Sequence, residues 1–156
     1  MIQREFKAAP LDMMAKIVTV VMVAVAGAIP FVPGMVMYTV VILPVILFVT
    51  WLFSVTGFVV ENNNLIVSRP LWKTTIVLPP DSVAGVEPEV KVGLLRTFGN
   101  GGLFGYTGRF RNRKLGFFNA YATNWKHAVS VTSGGQDFCI VVTPEDVEGF
   151  IQSINR

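Results

Sequence analysis

Basic side chains carry the first chemical signal in this sequence. From Val90 to Gln136 there are seven Lys or Arg and no acid: Lys91, Arg96, Arg109, Arg111, Arg113, Lys114 and Lys126. The rest of the segment from Gly57 to Arg156 reverses that balance, with three basic and eight acidic residues. Arg109, Arg111 and Arg113 alternate, so on a strand they line one face and Phe110 points to the other. Three readings fit such a face. It can be an ordinary solvated surface. It can meet an anionic lipid surface, where each charge contributes ~1 kcal/mol. It can also stack nucleic acid on the neighbouring Phe117, Phe118, Tyr121 and Trp125, although a net charge of +3 argues weakly for that.

A second signal is five glycines in ten residues, Gly99 to Gly108. A dinucleotide fingerprint needs a glycine where this chain has Phe104, and a phosphate-binding loop needs a Gly-Lys-Ser/Thr that is absent. The segment reads either as a turn-rich connection that lets two strands approach closely, or as a binding loop. In the second case Phe98, Gly99, Gly101, Gly102, Phe104 and Tyr106 form the contact surface. Catalytic candidates are few. His127 is the sole histidine and Cys139 the sole cysteine, and Cys139 sits in an apolar run where an inert thiol is expected. Glu87 and Glu89 share a strand face without a partner acid, and no His, Cys and carboxylate cluster has metal-ligand spacing. The expectation is no enzyme activity, no cofactor and no metal.

These residues need elements to position them, and the chain divides sharply. The 44 residues from Ile17 through Val60 contain no Asp, Glu, Lys, Arg or His, in a chain that is 52% hydrophobic and 15% charged. At ~1.5 Å rise per residue across ~30 Å of hydrocarbon, 44 residues suit two helices and a turn. Pro30, Pro33 and Gly34 mark the turn. The spacing predicts helices over about 13–29 and 35–54, with Asp12 as N-cap, Lys16 reaching back toward the interface, Tyr38 and Trp51 as interfacial aromatics, and a kink at Pro44. A buried hairpin or a cleaved leader ending near Ala24, Ala26 and Ala28 are the weaker alternatives. Arg4, Lys7 and Lys16 before the run, and Arg69 and Lys73 after it, would place both termini in the cytoplasm. The lone cysteine permits no internal disulfide that would argue otherwise.

After Gly57 the period becomes that of short strands. Phe58 to Glu61 and Leu65 to Arg69 flank Asn62-Asn63-Asn64, a turn suited to left-handed backbone. Trp72 to Leu78 and Val83 to Val90 follow as strands, and Ala128 to Thr132 with Phe138 to Val142 form a second hairpin. Thr143 as N-cap, Pro144 at the first position, and Glu145 with Asp146 announce a closing helix. Its stripe is Val147, Phe150, Ile151 and Ile154.

The run Phe58-Val59-Val60-Glu61-Asn62-Asn63-Asn64-Leu65-Ile66-Val67, the terminal helix, and the segment Arg96 to Gly108 resemble the bacterial pleckstrin-homology (PH)-like domain proteins over about Gly57 to Asn155. The resemblance implies a bent sheet capped by the C-terminal helix, and binding rather than catalysis. One departure bears on ligands. Phosphoinositide-binding members carry lysines and arginines around the first hairpin loop, whereas this loop is Glu61-Asn62-Asn63-Asn64, so recognition of inositol phosphates there is not supported.

The sequence therefore predicts a two-helix transmembrane hairpin in residues 1–56, followed by an α+β, mainly antiparallel PH-like barrel in 57–156 at the cytoplasmic face of a bacterial inner membrane. The expected role is a membrane-anchored, non-catalytic binding or scaffolding module. Its expected partners are the lipid bilayer, an anionic lipid surface or a protein, with nucleic acid disfavoured and an oligomer permitted. The alternative is an accessory subunit whose helices assemble with a transporter or membrane enzyme complex. Arg96, Arg109, Arg111, Arg113, Lys114 and Lys126 are the candidate lipid-surface or partner contacts.

Overall fold

The computed structural model describes residues 3–28, 36–134 and 138–155, with the side chains of 36–40 left aside. The chain opens with strand β1 (Arg4–Lys7), followed by helices α1 (Met13–Ala28) and α2 (Val36–Leu52). Next come β2 (Gly57–Glu61), β3 (Asn64–Ser68), β4 (Lys73–Val77) and β5 (Ser82–Val86). Strands β6 (Leu95–Gly101), β7 (Tyr106–Asn112) and β8 (Gly116–Ala122) precede β9 (Val129–Ser133), β10 (Cys139–Val142) and helix α3 (Val147–Ile154).

The strands form two sheets. The smaller has the order β1-β2-β3-β4 and is antiparallel throughout. The larger has the order β5-β9-β10-β8-β7-β6, antiparallel except for the parallel pair β10 and β8. The main core lies between them, where Phe58, Val60, Leu65 and Val67 of the smaller sheet meet Val129, Val131, Ile140 and Val142 of the larger. Phe150 of α3 is fully buried there and meets Phe6 and Phe58 edge-on. A second core, Phe110, Phe118, Ala120, Trp125 and Val90, fills the opposite face of the larger sheet.

The helical run corrects two expectations. Helix α1 has 16 residues and α2 has 17 described residues, about 24 and 26 Å at 1.5 Å per residue against ~30 Å of hydrocarbon. No helix among the described residues is long and apolar enough to cross a membrane. The transmembrane hairpin is overturned by that finding, and with it the multi-pass inner-membrane placement with cytoplasmic termini. A charge-free run reports hydropathy, and hydropathy does not fix where helices stop. The predicted turn at Pro30 to Gly34 and the side chain of Tyr38 lie outside the described residues.

Three local readings also change. Residues 4–7, read as part of an N-terminal tail, pair antiparallel with β2 from Arg4 opposite Val60 to Lys7 opposite Gly57. Helix α3 begins later than predicted. Its N-cap is Asp146, whose carboxylate accepts from the Gly149 amide. Thr143 is instead buried completely, where its hydroxyl accepts from the Thr123 amide and its carbonyl from the Ala9 amide. Buried pairing holds Thr143 away from the helix start, and Asp146 supplies the same capping chemistry three residues on.

Candidate functional site

Strands β6, β7 and β8 carry most of the basic residues and present one open face. Register places Leu95, Arg111 and Phe117 side by side, then Phe98, Arg109 and Asn119, then Asn100, Thr107 and Tyr121. Opposed residues share a face and neighbours alternate. Phe110 and Phe118 therefore point into the second core, whereas Leu95 (64% exposed), Phe98 (79%) and Phe117 (55%) stand in solvent beside Arg109 and Arg111. The Arg111 guanidinium lies over the Phe117 ring at 5.1 Å from its centroid, a cation–π contact that holds both on this face.

The face has a closed end and an open end. At the closed end, Thr107 Oγ1 donates to the Phe53 carbonyl at 3.3 Å and Arg69 Nη1 donates to the same oxygen at 2.8 Å. That carbonyl lies just beyond α2, where a cation complements the negative end of the helix dipole. The Arg69 guanidinium sits among the rings of Phe53, Trp72 and Tyr121, at 5.4, 5.9 and 5.7 Å from their centroids. Burial lowers its pKa, and the Tyr121 charge opposes that shift. Toward the open end a groove of about 870 Å³ runs beside β4. Ile76 lines it with Arg109, Phe117, Asn119, Tyr121 and Phe138, and no carboxylate lines it among the described residues.

The glycine segment is the β6–β7 hairpin. Gly99 and Gly108 face each other across it at φ of +110° and +134°. A Cβ on either would run into backbone of the other strand, so this pair needs glycine for close approach as well as for its backbone angles. The turn rests on α1, where the Phe104 amide donates to Thr19 Oγ1 at 3.0 Å. Of the proposed loop contacts, Phe98 is exposed, Phe104 is half-buried and Gly102 is buried. Tyr106 turns inward against Trp125 and donates to Asp12 at 3.0 Å.

Asp12 ties that hairpin to the start of α1. Its Oδ1 accepts from the Ala15 amide at 2.8 Å, the N-cap bond the sequence predicts, and Lys91 Nζ lies 3.5 Å from Oδ2. Burial, then the Asp12 charge and hydrogen bond, push the Tyr106 hydroxyl up to about 12. Sequence reasoning missed this junction because the partners are far apart in the chain.

The other basic candidates scatter. Lys114 is bound to buried Glu87 at 2.7 Å, and that hydrogen bond raises its pKa. Arg113 packs along Gly93. Arg96 is exposed beside Gly101, and Lys126 is exposed on the 3₁₀ turn Trp125–His127. Thus Arg109 and Arg111 stand together, with Arg96 on a neighbouring strand and Lys126 on another element. For catalysis the arrangement offers little. Burial, with Glu87 second, pushes the Cys139 thiol up to about 11, so the nucleophilic thiolate is scarce at neutral pH. No group of three or more His, Cys, Asp or Glu is placed to hold a metal among the described residues.

A family model described as a bacterial PH domain matches residues 56–156. No curated protein and no solved structure matches the chain.

Proposed function

The chain belongs to the bacterial PH domain family, and on that premise we propose that it is a non-catalytic binding module whose β6–β8 face engages an anionic lipid surface. The observation that supports this reading is the mixed row of Arg109 and Arg111 with exposed Leu95, Phe98 and Phe117. Cations attract lipid phosphates, while exposed apolar side chains gain by leaving water for the headgroup boundary. The first hairpin loop, Glu61 to Asn64, offers no cation, so the basic face rather than that loop is the contact.

The test is flotation of the full chain with neutral and with anionic vesicles at low and high salt, beside the R109A/R111A/R113A variant. Binding to anionic vesicles should be salt-sensitive and weaken about thirtyfold in the variant, at ~1 kcal/mol for each of Arg109 and Arg111. Equal binding of both proteins to both vesicle types would sink the reading.

One observation favours a second role. Val20, Val21, Val23, Val41, Ile42, Val45 and Phe48 are exposed on α1 and α2, a larger apolar surface than a monomer in water ordinarily leaves bare. That surface suits an accessory subunit whose helices pack against apolar helices of a complex. In-cell cross-linking through Val45→Cys should then yield one discrete adduct, and a diffuse ladder would count against it.

A further inference from the structure

Strand β4 ends the order β1-β2-β3-β4 of the smaller sheet, so it is an edge strand, and its Ile76 borders the groove. The hydrogen bonds around β4 show which backbone groups are free. Arg69 N donates to the Trp72 carbonyl at one end of the β3–β4 pair, and Leu78 N donates to the Asn63 carbonyl at the other. Bonded and non-bonded pairs alternate along an antiparallel ladder. With the register Val67 to Thr74 and Leu65 to Ile76, Thr74 and Ile76 bond to β3. The amides and carbonyls of Lys73, Thr75 and Val77 therefore point outward from the sheet edge, where no strand pairs with them among the described residues.

Exposed strand edges are templates for another strand, and proteins usually blunt them. Here Lys73 is the one charged side chain on β4, and it lies at the end nearest the β3–β4 turn. A strand added at Thr75 and Val77 would send alternate side chains into the groove, toward Tyr121, Phe117 and Arg109. The lining mixes apolar side chains with the polar Asn119, Thr132 and Ser133, and among the described residues it carries two cations and no acid; of those cations Lys114 is already held by Glu87. Arg109 is exposed.

We propose that β4 and the adjoining groove bind an extended acidic peptide segment of a partner protein, paired to the β4 edge through main-chain hydrogen bonds, with a carboxylate on Arg109 and apolar side chains over Tyr121 and Phe117. This rests on the reading of the chain as a binding module, but it uses a different edge of the site from the lipid-facing row.

The experiment uses the full chain in a mild detergent and fluorescence anisotropy with octapeptides in which Glu alternates with Val or Phe, against the same peptides carrying Lys for Glu. Thr75→Pro removes one outward amide and is tolerated on a strand edge, with Thr75→Val as the control that keeps it. Glu peptides should bind at least about tenfold tighter than Lys peptides. T75P should abolish that binding, T75V preserve it and R109A weaken it by about tenfold. No binding at millimolar peptide, no preference for acid, or T75P binding as wild type would each overturn the proposal. Unfolding midpoints verify that each variant is folded. R111A with R113A separates this proposal from the lipid reading, since that pair should weaken vesicle binding and leave peptide binding intact.

Discussion

The two halves of the larger sheet are built from similar alternating strands and end in opposite situations. In β5, β9 and β10 the face toward the smaller sheet is covered by that sheet and by α3, so Val129, Val131, Ile140 and Val142 are buried. In β8, β7 and β6 the same face is uncovered beyond Thr107 and Tyr121, so Phe98, Arg109, Arg111 and Phe117 meet solvent. Period-two patterning says that a strand has two faces. What packs above each face decides whether its residues serve stability or binding.

Truncating the aromatic of α3 that covers one half and an aromatic of the open half is the widest way to break that contrast. Phe150→Ala should cost about 3–5 kcal/mol, as removal of a fully buried Phe does, whereas Phe117→Ala should stay within about 0.5 kcal/mol. Denaturant midpoints decide it, and equal losses would mean that the β6–β8 face is a core. The Gly108→Ala variant sharpens the contrast inside the open half. Strand pairing there depends on close approach, so this change should cost about 1–3 kcal/mol through backbone clash and strain at a positive φ. Its effect should appear as faster amide exchange along β6 and β7, with β9 and β10 little altered.

The smallest expected effect is on pH dependence. Tyr106 and Cys139 are both pushed upward, from ordinary values of 10.0 and 9.0 to about 12 and about 11. The folded chain favours their protonated forms, so this stabilisation is complete below pH 9 and is lost as pH rises through the folded values. Melting temperature should fall between about pH 9 and pH 12, and Tyr106→Phe should flatten the upper part of that fall. An unchanged slope in that variant would remove Tyr106 from the account.

Much of the covered half was legible in the sequence, because its signals are local. Asn62 and Asn63 take φ of 44° and 63° at the turn that their residue type suggests. Strands β9 and β10 lie within about a residue of the predicted hairpin. The open half was harder to read. Five of the first six residues of β6 are exposed and its glycines resemble a loop, so the strand exists because β7 holds it. Strand β1 was hidden for a related reason, since four residues alternating charge with Phe6 look like a solvated tail until β2 pairs with them. Of the candidate site, the alternation of Arg109 and Arg111 could be read directly. The groove could not, because Ile76, Arg109 and Phe138 meet only in three dimensions.

Strand β1 also sets an order of events during synthesis. It is made first, yet its partner β2 follows the 49 residues from Ala8 to Thr56, a delay of roughly 3–10 s at ordinary translation rates. Both helices are made in that interval, before Tyr106 exists to donate to Asp12 or Arg69 to donate to the Phe53 carbonyl. Their apolar side chains therefore leave the ribosome before the strands that hold both helices have folded.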